Sequence, residues 1–356
     1  MNLSPVRLER ASNQMKNQGN QSGLSPIWNW KITGLSFVLL FFVGILAISF
    51  GPVSLDFTKI IRTLFGLPNG LTGQDRTLLI DLRLPRALLA ALVGAALATS
   101  GAVYQTVFRN PLADPYLLGA AAGAGLGATI AITGAGADLY SLLPIFSFFG
   151  AILAVLVSFF ISGKFFAEPN SLLLSGIAVG SFATAVQTYL QQRNSSSLRP
   201  VYSWILGELT VANWQIVTWS SIYILIALTI LITVSKQLDG LMLTDEEAYS
   251  LGINPNKLRV IAVVAATLAT ATAVSASGLI GFVGIVVPHL VRGITHRVTN
   301  RGLLTIALVG ASFLVLADLG ARTLLSPAEL PIGVITAFVG APFFLVVLRK
   351  KRLVSQ

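Results

Sequence analysis

Cysteine is missing from the 356-residue chain, histidine occurs only twice, and charged residues make up just 11% of it. Each shortage excludes something. Without cysteine there is no disulfide framework and no thiolate metal site. His289 and His296 are too few for a histidine-built metal cage, so no metal ligands are expected. No glycine-rich loop ending in Lys-Ser or Lys-Thr is present, so the chain carries no recognisable ATP site. Acids are scarcer than bases, fourteen Asp and Glu against 24 Lys and Arg. A soluble domain has roughly 25% charged residues. With 54% hydrophobic residues and a mean hydropathy of +0.79, the chain reads as an all-α, polytopic membrane protein immersed in lipid. Its net charge of +10 is what cytoplasmic loops of such a protein carry, and needs no nucleic acid.

Residues 1–31 are polar, rich in Asn and Gln, and are expected to form a disordered cytoplasmic tail. The apolar run 32–50 lacks a small-residue cleavage site and reads as an uncleaved first span. Nine further spans are expected at 85–106, 114–134, 141–163, 171–191, 215–235, 258–277, 278–295, 302–320 and 332–349, before a short basic tail at 350–356. Ten spans put both termini on one side. Sixteen Lys and Arg then fall on that side; the eight on the other are Lys59, Arg62, Arg76, Arg83, Arg86, Arg193, Arg199 and Arg322. The bias places both termini in the cytoplasm of a cell whose plasma membrane the chain crosses. Gly119, Gly123 and Gly127, and Ala90, Gly94, Ala98 and Ala102, form four-residue stripes that suit close helix packing. Asn110-Pro111, Ser277-Gly278, Pro288 and Pro331 interrupt the spans, as in transporters with broken helices.

The only sizeable loop expected on the cytoplasmic side is the polar island 236–259, which contains Asp239, Asp245, Glu246 and Glu247. Thr244 followed by Glu247 has capping-box spacing and predicts a helix starting at Asp245. Leu251-Gly252 predicts its end, and Pro255 the start of a second short helix. Leu241, Leu243, Ala248 and Leu251 would then be exposed beside the acids. The island is either a solvated connection or a docking surface for a soluble partner.

Ionisable groups within the spans are few. Asp318 lies near an outer end with Arg322 four residues on, the spacing of a local helical pair. Proton- and sodium-driven transporters carry ionisable relays at the midplane, and none is visible. No nucleophile–base pair or metal cluster is visible either, so no catalytic residue is assigned. The sequence describes a pathway without an energy source of its own.

Several spaced motifs then carry a resemblance. They are Leu82-Arg83-Leu84-Pro85-Arg86 followed by Gly94, Gly101 and Gln105; Arg109-Asn110-Pro111-Leu112-Ala113-Asp114-Pro115; and Leu172-Leu173-Leu174-Ser175-Gly176. Trp204-Ile205-Leu206-Gly207, Gly281-Phe282-Val283-Gly284-Ile285-Val286-Val287-Pro288-His289, Asp318 with Arg322, Glu329-Leu330-Pro331 and Gly340-Ala341-Pro342-Phe343 follow in order. Together they resemble the FecCD-type permease subunits of ABC importers for iron-siderophores, haem and cobalamin, from about Ile32 to Leu348. Ser175 stands where alanine is more usual, and Thr244-Asp245-Glu246 where Leu-Gly-Glu is commoner.

The resemblance implies a type II ABC importer permease of ten helices. It would pair with a second copy or a similar permease, with two cytoplasmic ATPase subunits and with an extracytoplasmic substrate-binding protein. No cofactor would be bound by this chain, since ATP and magnesium sit on the ATPase. The cargo implied is an iron(III)-siderophore-type chelate, with cobalamin or haem as alternatives. The alternative of another class is an ion-coupled secondary transporter. Carried onto this sequence, Leu241, Leu243, Asp245, Glu246, Glu247, Ala248, Leu251 and Gly252 would couple to the ATPase. Asn110, Pro111, Leu112 and Asn170 would form a cytoplasmic gate near the two-fold axis. Arg83, Arg86 and Arg322 would receive acids of the binding protein, with Pro85 keeping Leu84 out of the helix so that the arginines are presented at a fixed angle. Snorkelling at the membrane edge is the plainer role for the same arginines.

Overall fold

The computed structural model describes residues 26–134, 142–163, 169–194, 197–295 and 300–354, and among them no strand occurs. In chain order the helices are α1 (Pro26–Ser49), α2 (Phe57–Leu64), α3 (Gly73–Thr77), a π-helical turn at Leu78–Arg83, and α4 (Leu84–Val107). Then come α5 (Ala120–Thr133), α6 (Leu143–Ser162), α7 (Pro169–Arg193), α8 (Leu198–Ile205) and α9 (Trp214–Leu238). A 3-10 turn at Asp239–Met242 leads to α10 (Asp245–Ser250), α11 (Pro255–Ser277), α12 (Val283–Thr295), α13 (Asn300–Thr323) and α14 (Ile332–Val354). Ten of these are long, one for each expected span. Seven have both the length and the apolarity to cross a bilayer, and α5, α12 and α14 supply shorter apolar helices. α4 begins where Arg86 meets Asp318 and ends where Arg109 meets Asp245, so these two acids mark opposite ends of the bundle.

α4 is the axis of the bundle. It is buried without a break from Val93 to Val107, with α13, α11, α12 and α9 packed around it. Its small residues make this possible, because lipid tails supply no hydrophobic drive and close backbone approach must do so. A Cβ on Gly94 would stand 2.3 Å from the Gly310 carbonyl oxygen of α13. α5 crosses α6 in the same way, with Gly123 against Gly150 and Gly127 against Phe146. The glycine and alanine stripes are packing seams, as their spacing suggests.

Two interruptions face each other inside the bundle. α5 has 14 residues, about 21 Å of helix, against a hydrocarbon core of about 30 Å. The irregular segment 108–119 that precedes it is partly buried at Ala113 and Leu118. The Tyr116 hydroxyl donates to the Ile280 carbonyl at 3.0 Å, within the second break, 278–282, between α11 and α12. Gln105 donates to both Ala113 O at 3.2 Å and Gly284 O at 2.9 Å. Non-helical backbone survives at this depth because protein groups satisfy it.

Two expectations are corrected, and two helices run past their expected bounds. Pro255 does not open a separate short helix: it is the first residue of α11, capped by the Asn254 side chain, which accepts from Lys257 N at 3.0 Å. Leu84 is not held out of the helix by Pro85; it is helical at φ −63°, ψ −51°, and the π-helical turn before it widens the backbone where the proline cannot donate. α14 runs on through most of the basic 350–356 segment, to Val354, and α1 starts at Pro26, inside the expected 1–31 tail.

Candidate functional site

At the Asp245 end, α10 forms as its sequence dictates. Thr244 caps it by accepting from Glu247 N, and the Glu247 carboxylate accepts from Thr244 N at 2.9 Å, closing the capping box. These bonds hold the Glu247 carboxyl below the usual carboxylate range. Gly252 follows the helix at φ +76°, a conformation that favours glycine, and the chain turns there into α11.

The helix phase changes which side chains face outward. Leu241 and Ala248 are each 1% exposed, tucked against the bundle rather than offered to a partner. Leu243 is exposed, Leu251 is 65% exposed, and Glu246 and Glu247 lie on the surface beside them. Met242 and Tyr249, which the sequence reading passed over, complete the exposed apolar face. Their signal was only their place between the buried positions: once Ala248 packs inward, Tyr249 must point away from the bundle.

Asp245 is half-exposed but already paired within the chain. Arg259 of α11 donates to both its oxygens, at 3.0 and 2.6 Å, and Arg109 reaches one of them at 3.1 Å. The bonds from Arg259, with the charges of Arg259 and Arg109, hold its carboxyl below the usual carboxylate range. The pairing is therefore fully present above about pH 4 and is lost only as pH falls through the lowered value.

Arg109 joins two regions that the sequence kept apart. It sits at φ +50° directly after α4, next to Asn110, Pro111 and Leu112. Its guanidinium also donates to the Leu241 carbonyl at 2.8 Å and to the Leu243 carbonyl. The Asn110 side chain accepts from Leu112 N at 2.9 Å, fixing the turn, and leaves Pro111 and Leu112 exposed. Asn170 lies in the first turn of α7, and its side chain is outside the described residues.

The Asp318 end does not present its three arginines as expected. Arg83 is 4% exposed, and its guanidinium donates to Ile48 O at 2.9 Å, Ser49 O at 3.0 Å and Val53 O. Arg322, also 4% exposed, donates to Ala47 O at 2.7 Å. Its Nε lies 3.1 Å from Asp318 Oδ2 without the alignment of a hydrogen bond, so charge holds that contact. Arg86 donates to Asp318 at 2.8 Å and makes a fork to Glu329 at 3.1 and 2.9 Å. Neither docking nor snorkelling describes Arg83 and Arg322 here, because both charges are spent on groups inside the chain. Only the Arg86–Glu329 pair reaches the surface.

Residues 39–350 match the FecCD transport family. The chain belongs to that family. Among relatives of this FecCD protein, the hemin transport system permease protein HmuU of Yersinia pestis is 37% identical over 331 residues, 90% of this chain and 95% of the relative. The cobalamin import system permease protein BtuC of Halobacterium salinarum is 39% identical over 293 residues, 81% and 77%. The Fe(3+)-citrate import system permease protein YfmE of Bacillus subtilis is 34% identical over 312 residues, 88% and 92%. Among solved structures, a metal-chelate type ABC transporter in an inward-facing conformation superposes with a TM-score of 0.81 at 30% identity, covering 90% of this chain and 99% of that one. The FecCD chain is thus a membrane-spanning transport subunit, not itself an enzyme, and a permease of this kind implies ATPase and substrate-binding partners.

Proposed function

We propose that the chain is the permease of an ATP-driven importer for an iron(III)-siderophore-type chelate, with haem or cobalamin as the alternative cargo. The relatives named for iron citrate, hemin and cobalamin support the class. It would work as a pair of permeases with both termini in the cytoplasm, two ATPase subunits below and a binding protein outside. One face of α7 supports the pairing: Ser181, Thr184, Thr188 and Gln192 recur every three or four residues and are all exposed on a span. Such a stripe suits a water-lined path or a second protomer better than lipid. Uptake in vesicles holding the permease, ATPase and binding protein should require ATP. Uptake that runs on an ion gradient with no ATPase present would sink this reading in favour of a secondary transporter.

The observation that carries the mechanism is Arg109. In this proposal the ATPase grips Met242, Leu243, Tyr249 and Leu251, and Arg109 passes the resulting movement to the gate turn at Asn110–Leu112. Coupling needs an element that both sites bias, and a residue that adjoins the gate turn in the chain while its guanidinium bonds the coupling segment is such an element. Arg109→Ala should lower transport per ATP hydrolysed by about 5- to 150-fold, the usual span of a coupling energy. Cysteines at 110 and 112 should report it, their inter-protomer cross-linking changing with ATP in the otherwise unaltered permease and not in the Arg109→Ala protein. Nucleotide-sensitive cross-linking in both would remove Arg109 from the coupling path. Separately, Leu251→Arg should leave the permease folded and weaken ATPase co-purification about tenfold or more, as for a central interface residue; unchanged co-purification would place the grip elsewhere.

At the opposite end, Glu329 occupies the surface edge of Arg86, which a carboxylate of the binding protein would otherwise take. Exposed pairs are worth roughly 0.2–1 kcal/mol each, so exchange is cheap. Glu329→Gln should raise binding-protein association a few-fold at low salt, with the gain fading as salt rises. Slower association in that variant would make Glu329 itself the contact.

A further inference from the structure

α6 and α9 each pack against α11 and leave a cleft of about 600 Å³ between them. Its floor is Thr272, Ser275 and Ala276 of α11. Its walls are aromatic: Phe148 and Phe149 from α6, Trp219 and Tyr223 from α9, with the Phe148 and Tyr223 rings 5.9 Å apart. Asn213 and Gln215 stand at one end, where α9 begins at the Asp318 end of the bundle. Among the described residues no charged side chain lines it.

Three features decide what fills it. The first is length. From Asn213 to Tyr223 the cleft follows ten residues of helix, about 15 Å, which is half of a hydrocarbon core of about 30 Å. It therefore runs from the membrane surface to the midplane and no further. The second is polarity. The Thr272 hydroxyl donates to Leu268 O at 2.8 Å and the Ser275 hydroxyl to Thr272 O at 2.9 Å, so both already donate to their own helix. A chain of waters needs several polar partners each, and the floor offers few. The third is where the cleft opens. Along the same helices Leu153, Leu156 and Phe160 of α6, and Ile222, Leu225 and Ile226 of α9, are exposed, an apolar surface continuous with the cleft walls. The polar stripe of α7 lies on another helix.

We propose that this cleft is a binding site for one acyl chain of a membrane phospholipid, its headgroup level with Asn213 and Gln215 and its tail ending between Phe149 and Tyr223. The lipid fills the wedge between α6 and α9 and joins both to α11. Its volume lies within the roughly 300–1,000 Å³ of small-ligand sites. Because none of the described residues lining the cleft is a cation, the site reads the chain rather than the headgroup charge.

The test uses the full-length permease in vesicles containing phosphatidylethanolamine with a photoactivatable group on its acyl chain. After transfer to vesicles of unlabelled lipid, light-induced labelling should persist on the Phe148–Phe149 and Trp219–Tyr223 segments. It should fall to background at Phe41 and Phe42 of α1, which are exposed and do not line this cleft. Ser275→Phe, which places a ring on the floor, should reduce the persistent label several-fold and leave the α1 label unchanged. Should that variant fail to reach the membrane, the exchange comparison on the unaltered protein decides alone. Label at the cleft that exchanges as fast as at α1 would show ordinary boundary lipid, and absence of label there would show that water or polypeptide fills it; either overturns the proposal.

Discussion

Asp318→Ala is expected to be among the most destabilising single changes in this permease, by about 3–5 kcal/mol, the usual cost of leaving a buried charge without its partner. Asp318 is 1% exposed and sits between Arg86 and Arg322. Arg86 would keep its fork to Glu329, but Arg322, 4% exposed, would lose its carboxylate and retain only the Ala47 carbonyl. Asp318→Asn should fall between, since the amide keeps an acceptor for Arg86 but no charge. The double change Asp318→Ala with Arg322→Met should recover much of the loss, because removing both members of a buried pair is far milder than removing one. Thermal unfolding of the detergent-purified proteins reads all three. A midpoint for Asp318→Ala equal to that of the unaltered protein would mean that water reaches this cluster freely.

Gly101→Ala should be nearly as damaging, although it adds one methyl group. That methyl carbon would stand 2.1 Å from the Gly284 carbonyl oxygen and 2.5 Å from its Cα, and backbone cannot swing aside as a side chain can. α4 and α12 would have to part, pulling Gln105 away from Gly284 and from Ala113, and so loosening both broken segments at once. Overpacking of this kind costs typically 1–3 kcal/mol or more. Transport should fall further than stability, because the displaced bonds hold the interrupted helices. Gly44→Ala in α1 is the control: nothing lies within 4 Å of the added methyl, and it should be silent or slightly stabilising. Equal behaviour of the two variants would show that the α4–α12 seam yields.

Much of this architecture is legible in the sequence. Long apolar runs separated by polar turns gave ten helices, because a bilayer demands continuous hydrogen-bonded backbone of a set length. The Thr244–Glu247 box and the Asp318–Arg322 pair were legible because both are local, three and four residues apart. The fate of Arg83 was not. Its partners are bare carbonyls 30, 34 and 35 residues away, and any residue provides a carbonyl, so no residue type marks the pairing. Ala248 was misplaced for a related reason. A six-residue helix is too short for its apolar pattern to define a face, and packing against the 3-10 turn and α11 set the phase instead. The bridge from Arg109 to Leu241, Leu243 and Asp245 spans more than 130 residues, again largely through carbonyls, and so two sites that read as separate are one.

The carbonyls at the end of α1 set an order of assembly. A membrane helix emerges into the bilayer with its last carbonyls unsatisfied, and α1 emerges well before α13. Arg83 arrives soon after α1, but the Ala47 carbonyl waits for Arg322, 275 residues later. The first span is thus finished by the ninth. A nascent permease stalled before α13 would hold α1 inserted with its Ala47 carbonyl still unbonded, so a span made late closes one made well before it.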